Sequence, residues 1–137
     1  MFGAQQATLL VGLILLQAPA ETVFHGRPSV KIQEDGVDRA VEKVSSEKAA
    51  GFECVISRIG DTYYWASREN RAMRRLEGPG YITYLAMDGS GYVKIVKADV
   101  KATVGLVKLA EAAFDYVEHM PFGLTTITYY GSARSIR

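Results

Sequence analysis

Alternating apolar and polar residues, interrupted by tight-turn sequences, dominate the middle of the chain. Four strand-like runs pair across turns that contain Gly and Asp: FECVISRIG (52–60) with DTYYWASR (61–68), and YITYLAM (81–87) with YVKIVKA (92–98). Successive side chains of a strand point to opposite faces, and Asp and Gly tolerate the left-handed backbone of hairpin turns. The pattern predicts two antiparallel hairpins, over 52–68 and 81–98.

Two further strands are predicted outside these hairpins. LTTITYYG (124–131) is rich in the β-branched and aromatic residues that favour strands. SVKIQ (29–33) alternates and suits a short edge strand that follows an exposed lead-in over 21–29. The segment 69–80 is predicted to be a polar connection with a Gly-Pro-Gly breaker, and the tail 132–137 is predicted to fray.

Helical periodicity occurs in two segments. Val and Ala recur at i, i+3, i+4 and i+7 over 36–50, after Asp35 as an N-cap. A longer apolar stripe, stopped by Pro121, predicts a helix over about 101–119. A competing interpretation ends that helix near Ala113 and makes FDYVEHM (114–120) a strand. Together the elements predict an α+β domain, in which an antiparallel sheet of about five strands carries both helices on one face.

The first 20 residues contain no charged side chain, although 23% of the whole chain is charged. Their apolar run ends in Ala18-Pro19-Ala20, and small residues at positions −3 and −1 are typical of a signal-peptide cleavage site. The run lacks the usual Lys or Arg before it, and a membrane span needs about 20 apolar residues. We predict a signal peptide over 1–20, with a buried N-terminal element and a membrane anchor as alternatives. The chain would then be exported, to the periplasm or by secretion, as one domain over 21–137.

Charge and motifs limit the classes of partner. The formal net charge of +1 gives no general attraction to nucleic acid or to an anionic membrane. We therefore expect no nucleic-acid partner and no stable membrane anchor after signal cleavage. The sequence has no HExxH, paired CxxC, calcium-loop or phosphate-loop motif, so no cofactor is predicted. Cys54 is the single cysteine and is predicted to be a small buried hydrophobe.

The stretch TYYWASREN (62–70) places three aromatic residues before a polar corner. Trp65, the only tryptophan, is predicted to lie in the core with its N–H bonded. The side chain of Arg68 could hold a carboxylate or phosphate through two N–H groups, with Glu69 and Asn70 orienting the ligand. The alternative is a structural corner, in which Arg68 pairs with an acid and Asn70 forms a turn.

A second polar group occurs in FDYVEHMPFG (114–123). On a helix, Asp115 and His119 would share a face, and Glu118 adjoins His119. Such residues could form an acid–base pair or contribute to a metal site. Two ligands do not make a metal site, so no metal is predicted, and the alternative is a histidine at a helix end with a local partner.

Three stretches, YYWASREN, GSGYVKI and DYVEHM with TITYYG, resemble a family of small exported bacterial proteins that has no assigned function. The resemblance covers most of residues 49–131. It implies export and a shared fold, and it brings no reaction, ligand or catalytic residue.

Two functional hypotheses follow from the sequence, beside a third possibility, a purely structural or assembly role in which strand edges pair between chains. The first is a non-enzymatic exported module that binds a protein or a small anionic ligand through one sheet face and the corner at Arg68. The second is a small hydrolase or metal-dependent enzyme that uses Asp115, Glu118 and His119, with Arg68 as an anion clamp. An enzyme needs these groups to converge in one site, so their positions discriminate the two hypotheses.

Overall fold

The strands of the protein form one antiparallel sheet. The computed structural model describes residues 19–97 and 114–136, with these elements: β1 (Glu21–Asp35), β2 (Asp38–Lys43), α1 (Ser46–Ala49), β3 (Cys54–Ile59), β4 (Thr62–Trp65), β5 (Arg71–Gly78), β6 (Tyr81–Ala86), β7 (Tyr92–Val96), β8 (Tyr116–Phe122) and β9 (Thr125–Ile136). The order across the sheet is β2-β1-β3-β4-β5-β6-β7-β8-β9, and β1 also pairs with β9. Eight strands therefore close into a barrel, with β2 as an additional strand beside β1.

β1 closes the barrel because it is long enough to have different neighbours along its length. Its first residues pair with β3, as in Gly26 with Cys54, and its second half pairs with β2, as in Ile32 with Val41. Along its other edge, β1 pairs with β9 from Phe24 to the end of the strand. Register shifts in these ladders bend β1, as β-bulges do where sheets curve.

The core fills the barrel because alternate side chains of each strand point inward. In β8, Tyr116, Glu118 and Met120 are buried, whereas Val117 and His119 are only partly buried. The interior of an eight-stranded barrel is just wide enough for side chains to fill it. The buried hydrophobic residues of this core are Val23, Phe24, Cys54, Ile56, Trp65, Met73, Tyr84, Ala86, Val93, Ile95, Tyr116, Met120 and Tyr129.

Alternate turns lie at the same end of the barrel because neighbouring strands run in opposite directions. One end carries the turns between β1 and β2 (36–37), β4 and β5 (66–70), β6 and β7 (87–91), and β8 and β9 (123–124). We call it the Arg68 end. At this end Gly91 has a φ of +134°, and a Cβ there would collide with the carbonyl oxygen of His119. Only glycine allows the 87–91 turn to pack this closely on β8 and on the ring of Trp65.

The predicted α+β class is wrong, because the described chain is nearly all strand. In place of the helix over 36–50 the chain forms β2 and the four-residue α1. Gly36, with a φ of +63°, starts a two-residue turn that reverses the chain, so that Asp38 pairs with Asp35. Val41 is exposed on β2. The helical spacing between Val41 and the other valines therefore does not correspond to a buried face of a helix.

The helix predicted over about 101–119 is wrong at its C-terminal end. Most of that segment, 98–113, lies outside the described residues. Of the two interpretations of FDYVEHM, the strand is confirmed, since β8 pairs with β7 on one side and with β9 on the other. The inter-strand hydrogen bonds on both edges decide the conformation, and they involve residues far away in the sequence.

Several strand predictions are confirmed, but some segments that were predicted to lie outside strands are strands. The two hairpins exist as β3–β4 and β6–β7. The segment 69–80, predicted as a connection, contains β5, and both the lead-in 21–29 and the tail 132–136 belong to barrel strands. Residues 1–18 of the predicted signal peptide lie outside the described residues. Within the described parts of the chain, no helix is long and apolar enough to cross a membrane.

Candidate functional site at the Arg68 end

The turn between β4 and β5 presents Arg68 at the end of the barrel. The backbone N–H of Arg68 donates to the carbonyl of Trp65 at 3.0 Å, and the side-chain oxygen of Ser67 accepts from the N–H of Val55 at 3.0 Å. Glu69 and Asn70 follow with φ values of 57° and 53°. Asn tolerates this left-handed conformation, but for Glu it is uncommon, and such backbone strain concentrates at binding and active sites.

The guanidinium of Arg68 lies between two aromatic rings. It is 4.7 Å from the centroid of the Trp65 ring and 5.1 Å from that of Phe122. Its Nη1 donates to the carbonyl oxygen of Ser90 at 3.3 Å. Among residues 19–97 and 114–136, no carboxylate lies within ion-pair distance of this guanidinium. The acid partner that the structural alternative assigned to Arg68 is therefore not among these residues, whereas residues 66–70 do form a turn.

The charges around Arg68 leave it incompletely compensated. Burial and the neighbouring cation Arg71 lower the pKa of Arg68, although the carboxylates of Glu118, Asp88 and Glu69 act in the opposite direction. Glu69 and Asp88 are each 3.7 Å from the guanidinium of Arg71. A lowered pKa means that this site disfavours the charged form of Arg68, so an added anion would stabilise it.

Trp65 connects Arg68 with a buried carboxyl group. Its ring contacts the guanidinium, and its Nε1 donates to Oε2 of Glu118 at 2.8 Å. Glu118 is only 4% exposed and is also hydrogen-bonded to the thiol of Cys54. Burial raises the pKa of Glu118, and the hydrogen bonds from Trp65 and Cys54 and the charge of Arg68 oppose this rise. The prediction that Trp65 is a core residue with a bonded N–H is confirmed, as is the burial of Cys54.

Glu69 and Asn70 do not converge with Arg68 on a common point. The side chain of Glu69 is 85% exposed and pairs loosely with Arg71. Asn70 is exposed and contributes its backbone conformation to the turn. Of the three predicted residues, Arg68 alone is placed against the aromatic side chains of the barrel end.

Asp115, Glu118 and His119 are separated by the strand conformation. Glu118 points into the barrel, whereas Nδ1 of His119 contacts Oγ1 of Thr128 at 2.9 Å on the outer surface, where its ring stacks on Tyr92. Asp115 precedes the strand and accepts a hydrogen bond from the N–H of Ala133 at 2.7 Å. Alternation along β8 puts Glu118 and His119 on opposite faces, and a rise of about 3.3 Å per residue places Asp115 and His119 far apart along the strand, whereas a helix would have brought them together on one face.

The described residues offer no group of three or more His, Cys, Asp or Glu side chains that could hold a metal ion. Sequence reasoning missed Phe122 and Ser90, which contact Arg68 from the end of β8 and from the turn between β6 and β7. It also missed the pairing of Glu118 with Trp65. The strand interpretation of FDYVEHM contained a signal for this pairing, because it puts Glu118 on the same face as Tyr116.

The chain was also compared with known proteins. It matches no model of a known protein family, and the searches find no significantly similar curated protein or solved structure.

Proposed function

We propose that this protein is an exported, non-enzymatic binding module that holds a small anion at Arg68. The single observation that supports this most strongly is the position of the guanidinium, on the Trp65 ring and without an acid at ion-pair distance among the described residues. An arginine in such an environment gains a partner when a carboxylate or phosphate binds.

The unused hydrogen-bonding capacity of Arg68 supports the same proposal. A guanidinium carries five N–H donors in a planar fork. Within the described residues, the guanidinium of Arg68 makes one hydrogen bond, which Nη1 donates to the carbonyl oxygen of Ser90. The remaining donors match the two oxygens of a carboxylate, and the guanidinium lies against the rings of Trp65 and Phe122.

The enzymatic hypothesis receives no comparable support. It requires Asp115, Glu118 and His119 to meet at one substrate, and Glu118 and His119 project from opposite faces of β8. The buried carboxyl group of Glu118 is already hydrogen-bonded to Trp65 and Cys54. These contacts favour a structural role for Glu118 beneath the proposed anion site.

Fluorescence of Trp65 offers a direct test, because this residue is the only tryptophan and contacts Arg68. The full chain would be expressed, and the protein would be purified in the form in which it accumulates. It would then be titrated with sodium acetate and with sodium phosphate at constant ionic strength. We expect saturable binding that Arg68→Gln weakens about tenfold or more, since a hydrogen bond to a charged group contributes about 1.5–3 kcal/mol.

Arg74→Gln is the matched control, because Arg74 is an exposed arginine on the adjacent strand β5. It should leave binding unchanged. Arg68→Gln should lower stability by no more than about 2 kcal/mol, because each of its two cation–π contacts contributes about 0.5–1 kcal/mol near the surface. Equal responses of the two variants, or no saturable signal with either anion, would refute the proposed function.

Export is tested separately by the mass of the purified protein. A bacterial host that recognises the signal peptide should deliver a chain beginning at Glu21 to the periplasm or the medium. A chain that stays in the cytoplasm with residues 1–20 attached would contradict export and leave the anion site to be judged by the titration.

A further inference from the structure

Exposed apolar side chains lie at the end of the barrel that carries the proposed anion site. Phe122, the last residue of β8, and the turn residues Leu124, Met87 and Val37 are 49%, 91%, 70% and 101% exposed. We call these four residues the apolar rim. Large hydrophobic side chains that cluster in neighbouring turns, rather than being scattered singly, mark an interaction site.

Contacts and chain connections link the apolar rim to Arg68. Phe122 lies beside the guanidinium, and Leu124 follows it in the turn between β8 and β9. The carbonyl of Leu124 accepts from the N–H of Gly36 at 3.4 Å, which places Val37 next to it. Met87 belongs to the turn whose Ser90 carbonyl binds Arg68.

The charges nearby favour an anion with a single negative charge. Glu69, Asp88 and Glu118 are the carboxylates that act on Arg68, and Arg71 is the other cation. A dianion such as phosphate would be repelled by these acids more strongly than a monoanion. A carboxylate matches the single positive charge of the Arg68 guanidinium.

We infer that the ligand of this site is an amphiphilic monocarboxylate, whose carboxylate binds Arg68 and whose hydrocarbon tail covers the apolar rim. This inference rests on the proposed function and specifies its ligand class. The tail removes Phe122, Leu124 and their neighbours from water, which supplies binding free energy that a small ion cannot gain. Affinity should therefore depend on two separable features, the head group and the length of the tail.

A series of straight-chain monocarboxylates tests this inference. Acetate, butanoate, hexanoate and octanoate would be titrated, below micelle-forming concentrations, into the purified full chain, with Trp65 fluorescence and calorimetry as readouts. We expect affinity to increase by about two- to fourfold for each methylene group that contacts the rim. Phosphate should bind more weakly than hexanoate.

Leu124→Ser with Val37→Ser should flatten the dependence on tail length and leave acetate affinity unchanged, because the rings that contact Arg68 are those of Trp65 and Phe122. Leu124→Ser alone serves as a second variant, because so exposed a side chain contributes little to folding. Leu76→Ser with Leu85→Ser is the matched control, since both leucines are exposed on strands of the barrel wall. The control should keep the full dependence on tail length.

Each alternative result overturns the inference in a recognisable way. If acetate binds through Arg68 but longer tails bind no better, the amphiphile is wrong and the proposed function stands. If long tails bind equally well to Arg68→Gln, the binding is nonspecific hydrophobic adsorption. If no anion binds, the proposed function fails with the inference. If light scattering shows a dimer that dissociates when the rim is changed to serine, a second copy of the chain occupies the rim.

Discussion

The indole N–H of Trp65 donates a 2.8 Å hydrogen bond to the carboxyl group of Glu118 inside the barrel. The two residues are 53 positions apart, on β4 and β8, which are not neighbours in the sheet. The bond therefore spans the interior and joins opposite parts of the wall. It satisfies two polar groups that would otherwise be costly to bury.

Trp65→Phe should destabilise the protein, because it leaves the carboxyl group of Glu118 without its indole partner and shortens the ring. A buried polar group left without its partner costs about 1–3 kcal/mol. Urea unfolding followed by far-ultraviolet circular dichroism measures this loss without needing tryptophan. In the background Glu118→Leu the same substitution should cost less, since no carboxyl group remains to be satisfied. Equal costs in the two backgrounds would show that the hydrogen bond contributes nothing.

The stability of the barrel should also depend on the ionisation of Glu118. Burial raises the pKa of this carboxyl group above its ordinary value of 4.5, so the folded state favours the protonated form. The contribution of Glu118 to stability is complete below pH 4.5 and is lost as the pH rises through the folded-state pKa.

Glu118→Gln keeps an acceptor for Trp65 but cannot ionise, so it isolates this effect. As the pH rises from 4.5, the free energy of unfolding of Glu118→Gln should increase relative to that of the wild type. Asp88→Asn is a control at an exposed site, where the pKa of Asp88 is lowered by hydrogen bonds from Ser90. A difference between wild type and Glu118→Gln that stays constant with pH would mean that Glu118 ionises as freely when folded as when unfolded.

Local signals in the sequence were sufficient for the hairpins and insufficient for the barrel. Gly60-Asp61 and the DGSG turn act between residues close in the chain, so the two hairpins follow from composition alone. Closure depends on the pairing of β1 with β9, between residues such as Phe24 and Ile136. No local pattern encodes a pairing over that separation, and the class was therefore mistaken for α+β.

The candidate site was predictable to the same limited degree. Arg68 stood out because a strand ends beside it, but its partners are distant in the chain: Phe122 is the last residue of β8, and Ser90 lies in the turn between β6 and β7. The roles of Glu118 and His119 depended on whether their segment was a helix or a strand. A spacing of apolar residues at every third or fourth position does not determine whether the segment is a helix or a strand, because hydrogen bonds from β7 and β9 stabilise the strand.

The packing at Gly91 should be intolerant of any side chain. A Cβ at this position would collide with the backbone of His119, and Gly89 in the same turn has open space around it. Both glycines have positive φ, so both alanine variants suffer backbone strain. Gly91→Ala should therefore cost about 1–3 kcal/mol more than Gly89→Ala in urea unfolding, because of overpacking. Similar costs would mean that the turn can move away from β8.

The thiol of Cys54 should be unreactive in the folded protein. Burial and the neighbouring carboxyl group of Glu118 raise its pKa well above the ordinary value, and the thiolate is the reactive form. We expect a disulfide-forming thiol reagent at pH 8 to modify native protein far more slowly than protein in urea. The rate should increase with urea in parallel with unfolding, because the thiol of Cys54 on β3 is completely buried in the core of the barrel. In Trp65→Phe, which we expect to unfold more readily, the native rate should rise. Fast modification of native wild type would show that the barrel opens at Cys54 without unfolding.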